Sequence, residues 1–413
     1  MSATLAEGLV RLGTWMLFAQ AAEPLAFFWH VVVDQTTVRR HTEAAGAAYG
    51  AAQAAEVEQL ERQRPLPPPG PAVHYLSADG AMVPLRPGQW AEAKTLAISR
   101  VEQRVAADGA SATHPTELSY VSRLAEAETV TRLAYMEAHR RGTESAGVVC
   151  AGQDGADWLQ GLVDVLRPDA VRILDFPHAV EHLTTAAAPV LGLGTPSLQA
   201  WLDQQPHTLK HAPDGARQVL GAVAHLAVET AADPRAARTA RDGALAYFTK
   251  RLGQVQDATF RAAGYPLGSG STESAHKVVV EARLKGSGMH WARGHVHPLV
   301  ALRTVACADR WTEAWPRIAA QLRREADRRR HERTQARRRA PTPAVADEPT
   351  PTVLPAAAAA VVLSPLAVPR PKTIVNGRPT RWHPWNATPC SPASITRARS
   401  VVPSHARTRR TPD

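Results

Sequence analysis

Three carboxylates stand where short apolar runs give way to turns or helices: Asp79 in Ser77-Ala-Asp79-Gly80, Asp154 in Gln153-Asp154-Gly155, and Glu273 in Gly268-Ser-Gly-Ser-Thr-Glu273. Carboxylates delivered from separate elements make a hard, anionic pocket suited to Mg²⁺ or Mn²⁺, ions that prefer oxygen ligands and keep places for phosphate and water. Two such ions can activate a nucleophilic oxygen and stabilise the leaving oxygen of a phosphodiester, which is nuclease and strand-transfer chemistry. Each acid also has a plainer reading. Asp-Gly is a common turn dipeptide, and an acid in the first turn of a helix is favoured by the dipole.

Around Glu273 the chain is basic. Glu273, Lys277, Glu281 and Lys285 recur every four residues, so consecutive members are helix neighbours, with Glu281 expected to bridge Lys277 and Lys285. Val278, Val279, Ala282 and Leu284 are left to face a core. Lys277, Arg283, Lys285 and Arg293, with His290, His295 and His297 close in sequence, would hold DNA phosphates without reading its sequence. Trp291 either stacks on a base or packs. The Gly-Ser-Gly-Ser turn lacks the G-x-x-x-x-G-K-[ST] pattern of a nucleotide-binding loop.

Asp175 also ends a strand-like run and precedes His178, so it competes with Asp154 for the place of second acid, or forms a supporting pair with His178, or caps a helix. His178-Ala-Val-Glu181-His182 has the H-x-x-E-H pattern of a zinc peptidase, but no third ligand stands out downstream.

These residues need elements to position them. Strand-like runs at 72–78, 90–101 and 118–124 precede a helix over 125–141 that stops at Gly142; a buried strand at 147–151, a helix over 156–166 and a strand at 171–176 follow. The order β-β-β-α-β-α-β-α predicts an α/β domain over 72–316, interrupted by an Ala-rich helical insertion at about 184–262. A further helix is expected over 297–311. Residues 1–64 read as an all-α region in which Asp34 caps a helix presenting Arg39 and Arg40, the layout of a helix-turn-helix or of a solvated helix pair. Residues 65–71, Pro-Leu-Pro-Pro-Pro-Gly-Pro, mark a stiff linker and domain boundary. Residues 317–340 form an Arg-rich helix or arm, and 341–413, rich in Pro and Ala, read as disordered.

Composition limits the partners. Of 48 Lys/Arg and 38 Asp/Glu, 19 and 6 lie from Arg317 onward, which leaves 29 against 32 in residues 1–316. The net charge of +10 therefore belongs to the C-terminal arm, and a polyanion would be held by that arm and by local patches. Three cysteines far apart suggest neither a disulfide framework nor a Cys-based zinc site. Glu23, Pro24 and His30 exclude a membrane span over the apolar run 9–33, and Glu7 before Arg11 makes a poor signal-peptide start.

The segments Ser77-Ala-Asp79-Gly-Ala-Met-Val, Gly88-Gln-Trp90-Ala-Glu92-Ala-Lys-Thr, Asp154-Gly-Ala-Asp-Trp158, Ile173-Leu-Asp175-Phe-Pro-His178-Ala-Val-Glu181-His182-Leu, Gly268-Ser-Gly-Ser-Thr-Glu273-Ser-Ala-His-Lys277, Arg283-Leu-Lys-Gly-Ser-Gly288-Met-His-Trp291 and Asn376-Gly-Arg-Pro379-Thr-Arg-Trp-His-Pro-Trp385 resemble, in order, the DDE transposases of the ISKra type. The resemblance implies an RNase H-like catalytic domain carrying a helical insertion. It also implies Asp79, Asp154 and Glu273 as a triad holding two Mg²⁺ or Mn²⁺ ions, double-stranded DNA as partner, a homo-oligomer assembled on that DNA, and a place in the cytoplasm at the nucleoid. Members of the group carry more sequence ahead of the helical region, and residues after Trp385 look unlike their ending. A truncated copy is therefore expected, with a catalytically silent DNA-binding remnant as the alternative to an active transposase.

Overall fold

The computed structural model describes residues 2–105, 111–268, 270–339, 374–375 and 378–379. Its centre is a mixed five-stranded sheet built from β1 (Val73–Leu85), β2 (Gln89–Val105), β3 (Ser111–Arg123), β4 (Val148–Gln153) and β5 (Val171–Leu174), in the order β3-β2-β1-β4-β5. The first three strands form an antiparallel meander. β4 and β5 add in parallel on the other side of β1, as strands reached through helical crossovers do. The α/β class read from the order of elements is the class observed.

Period-two alternation divides β1 between two cores. Leu76 and Ala78 join Leu96, Ile98, Val121, Val149 and Ala151 on the face covered by the helices that follow β3 and β4. Ala81, Val83 and Leu85 pack on the opposite face against Ala275, Val279, Val280, Leu284 and Val296. Tyr75, Cys150 and Ile173 also cluster, with Phe260.

The helices are α1 (Ala3–Trp15), α2 (Phe18–Trp29), α3 (Gln35–Gln63), α4 (Ala127–Arg140), α5 (Asp157–Leu166), α6 (Phe176–Leu191), α7 (Pro196–His211), α8 (Gly215–Ala224), α9 (Pro234–Lys250), α10 (Asp257–Ala262), α11 (Gly270–Ala275), α12 (Ala282–Leu284), α13 (Arg293–Cys307) and α14 (Trp311–Arg339). Asp34 caps α3, accepting from the Thr36 and Thr37 amides at 2.7 and 3.1 Å. Gly142, at φ +68°, sits just past the C-terminus of α4, where a left-handed residue ends a helix. The Ala-rich region 184–262 is helical and has its own core, in which Leu183, Ala187, Leu209, Val219 and Phe248 meet. The helix expected over 297–311 begins earlier, at Arg293, and the Arg-rich segment continues a helix that starts at Trp311.

Asp79-Gly80 does not end the first strand: β1 runs through it, with Asp79 opposite Thr95 and Gly80 opposite Lys94. Partner strand β2 supplies the ladder that a turn would have replaced, and a side chain on Gly80 would collide with that of Glu92.

The N-terminal helices belong to the same compact unit as the sheet, which spans Met1–Pro341. Leu9, Val10, Leu25, Val38 and Tyr49 pack with Ala301, Leu302 and Val305 of α13 and Trp311, Ala314 and Ile318 of α14. Where the prolines predict a boundary, the chain is docked: Ser145 donates its hydroxyl to the Pro68 carbonyl, and Gly70 lies against Gly142 and Ala146. At the crossing of α3 and α13, a Cβ on Gly46 would fall on the Pro298 carbonyl. Gly46→Ala is therefore expected to lower stability by about 1–3 kcal/mol in urea unfolding, despite the better helix propensity of alanine.

A second unit, Thr342–Asp413, is described only at Ile374–Val375 and Arg378–Pro379, which pair antiparallel as β6 and β7. The rest of the tail expected to be disordered, and most of the Asn376–Trp385 motif, lie outside the described residues. Among the described residues no helix is long and apolar enough to cross a membrane.

Candidate active site

Strand register assembles the acids. β1 pairs with β4 up to Ser77 opposite Gly152, and β4 with β5 up to Gln153 opposite Leu174. Asp154 and Asp175 follow directly on those last pairs, just past β4 and β5, and Asp79 stands two residues beyond Ser77 within β1. Asp79 and Asp154 are close enough for their charges to interact: burial raises the pKa of Asp79, and Asp154 adds to the rise against the opposing Gly80 amide and His276. Two half-buried carboxylates whose charges interact, one within β1 and one just past β4, are hard oxygen donors, and a divalent cation would relieve their repulsion. Among the described residues, however, no three His, Cys, Asp or Glu side chains converge as a metal cage.

The loop of Asp154 is clamped from the helical insertion. Asp154 accepts from the Ala156 amide at 2.8 Å, while its carbonyl accepts from the Tyr247 hydroxyl at 2.6 Å. Arg251 donates to the Gly155 carbonyl at 2.7 Å and lies 4.0 Å over the Tyr247 ring. Gly155, at φ +90°, leaves no room for a side chain beneath these two residues. His182 stacks on Tyr247 at 3.6 Å, so α6 and α9 hold the loop together.

Asp175, 1% exposed, caps α6 and accepts from Nδ1 of His178 at 2.7 Å. That hydrogen bond, with the Asp175 charge and against partial burial, pushes the His178 pKa up to about 9. The imidazole is a cation at neutral pH, and the Asp154 charge favours that form. A raised folded pKa gives stability that is whole below the unfolded histidine value of about 6.5 and is lost as pH rises through about 9. The stability difference between the parent and His178→Asn, from urea unfolding, is expected to shrink from pH 6 to pH 9.5. His178 and His182 of the H-x-x-E-H pattern thus face different partners, Asp175 and Tyr247.

Glu273 opens onto solvent. Its side chain is 66% exposed and pairs with Lys277 at 2.6 Å, while one turn later Nδ1 of His276 lies 3.7 Å from the Asp79 carboxylate. Glu281 pairs with Lys285 at 2.8 Å, so the expected bridge to both lysines resolves into two separate pairs.

The helix itself departs from α geometry. The buried positions are Ser271, Thr272, Ala275, His276, Val279, Val280, Arg283 and Leu284, a repeat of four. An α-helix turns about 100° per residue, so this repeat drifts about 40° each time and about 120° over three repeats. A π-helical turn over His276–Glu281 takes up the drift and keeps the stripe on the sheet. It turns Val278 outward and brings Val280 inward. The carbonyls of Val278 and Val279 receive the buried guanidinium of Arg303 instead.

No protein-family model matches the chain, and no curated protein is significantly similar to it.

The expected DNA contacts divide by exposure. Arg40 and Arg293 are exposed, and Lys277 and Lys285 carry acidic partners. Arg39 is half-buried, and Arg283 is buried. Trp291 packs: its indole donates to the Leu284 carbonyl at 3.0 Å, and its backbone bonds to Pro84 and Arg86. Sequence reasoning missed His276, Tyr247 and Arg251. The four-residue stripe was a legible sign that His276 faces the sheet; Tyr247 and Arg251, 93 and 96 residues from their partners, left none.

Proposed function

We propose that the chain is a DDE-type transposase of the ISKra type, which hydrolyses a phosphodiester at the ends of a mobile element and joins the freed 3′-hydroxyl to target DNA. The observation that carries this reading is the electrostatic proximity of Asp79, within β1, and Asp154, just past the neighbouring β4, beside an Asp175 that holds a histidinium. An antiparallel meander extended by two parallel strands agrees with the RNase H-like expectation.

Asp79 and Asp154, joined by Glu273 once it leaves Lys277, would hold Mg²⁺ or Mn²⁺, which when bound supplies activation of the attacking oxygen and charge stabilisation at the leaving one. The chain's own contribution is positional. Tyr247 and Arg251 fix the Asp154 loop, Asp175 fixes His178, and the His178 cation offsets part of the negative charge that the acids and an entering phosphate bring together. Arg40, Lys277, Lys285 and Arg293 would hold duplex phosphates, with a homo-oligomer forming on the DNA at the nucleoid.

A second reading, a DNA-binding remnant without catalysis, is favoured by one observation: Glu273 is bound to Lys277 and does not join the other acids. Purified protein with Mn²⁺ and end-containing DNA separates the two. Nicked and joined products support the transposase; a gel shift with neither product leaves only the remnant.

A further inference from the structure

Arg283 is 1% exposed, yet its Nε and Nη1 have no hydrogen-bond partner among the described residues. Nη2 reaches only the Gly13 carbonyl, at 3.5 Å. The guanidinium lies 4.7 Å from the ring centre of Phe18 and 5.4 Å from that of Trp291, and burial together with nearby Arg303 lowers its pKa to about 10. A buried cation without a carboxylate is costly, and aromatic faces offset only part of that cost. Such a group is explained if an anion completes it.

Space for that anion adjoins it. Arg283 lines a cleft of about 520 Å³, formed by the start of α2, the N-terminal part of α3, the turn after β1 and the segment 288–295. Arg39 and Arg86 line it as well. Its acid, Glu43, has a carboxylate oxygen 2.8 Å from Nδ1 of His295, so three arginines and one carboxylate line the cleft. The volume lies within the usual range for small-molecule sites. Guanidinium forks suit phosphate oxygens, and aromatic walls suit a base.

We propose that this cleft binds one nucleotide of a DNA strand, its phosphate on Arg283, Arg39 and Arg86 and its base along Phe18 and Trp291. The choice of DNA rests on the function proposed above; the anion site does not.

Calorimetric titration of the full chain, without divalent metal, tests it with thymidine 5′-monophosphate, thymidine and inorganic phosphate. The expected order is nucleotide tighter than phosphate, with the nucleoside weakest. Arg283→Met should weaken nucleotide binding at least tenfold while the unliganded melting temperature holds or rises, since an unpaired buried charge is removed. Should that variant fail to fold, the paired change Arg39→Ala and Arg86→Ala at the rim is expected to give the same loss. Parent-like affinity in the folded variants, absence of binding by the parent, or equal affinity for phosphate and nucleotide would each overturn the proposal. Nucleotide binding retained by a protein that neither nicks nor joins DNA would remove the proposed activity and leave the cleft standing.

Discussion

Replacing Asp79 with Asn is expected to lower nicking and joining by roughly 10³-fold or more, because a carboxylate that holds a catalytic metal commands several kcal/mol of transition-state stabilisation. The fold should not suffer. Ionised Asp79 is disfavoured by burial and by Asp154, so its native pKa is raised and its charge works against folding at neutral pH. The Asn variant should therefore melt at or above the parent temperature at pH 7, which separates lost chemistry from lost structure. Asp154→Asn is expected to match it in activity, since the amide oxygen can still accept from Ala156. Asp175→Asn should act differently, weakening the hold on His178 and lowering stability. Loss of activity confined to Asp175→Asn, with Asp154→Asn active, would exchange the two acids in the assignment.

The largest expected loss of stability is at Glu137. Its carboxylate is buried between α4 and β3 and accepts from Arg141 at 2.7 Å, from Arg140 at 2.9 Å and from the Ser119 hydroxyl. Arg140 continues to Glu56 of α3, Arg317 of α14 reaches the same Glu56 at 2.9 Å, and Arg141 reaches Glu313 of α14 at 3.2 Å. The network thus fastens the N-terminal and Arg-rich helices to the sheet. Glu137→Ala leaves two arginines half-compensated in a buried site and is expected to cost about 3–5 kcal/mol in denaturant unfolding. Burial alone would raise the Glu137 pKa, but Arg140, Arg141 and Ser119 outweigh it and the net shift is downward. A depressed native pKa gives stability that is whole above the unfolded glutamate value of about 4.3 and is lost as pH falls through the lower native one. The gap between parent and variant should accordingly stay constant from pH 5 to pH 8 and close in acid.

Much of this molecule is written in short-range signals. Asp34 caps α3, Gly142 follows the end of α4, apolar runs mark the strands to within a few residues apart from β1, which runs seven residues further, and β3, which starts seven residues early, and proline-broken Ala-rich sequence builds the helical insertion. Such features depend on residues a few positions apart, so a linear reading finds them. What a residue faces depends on segments far away in the chain. Asp79-Gly80 reads as a turn until β2 pairs with it, and nothing in the order of residues shows that α2 and the Trp291 segment enclose Arg39 and Arg283 with Phe18 in one cleft. Glu273 and Lys277, four apart, were legible as neighbours, but whether Glu273 turns to Lys277 or to Asp79 is a contest between a local ion pair and a pocket assembled from β1 and β4. Residue types and local spacing, by themselves, determined the inventory of acids, cations and elements. Tertiary packing alone decided which charges meet, because parallel strand register and helix docking bring together side chains that no periodicity connects.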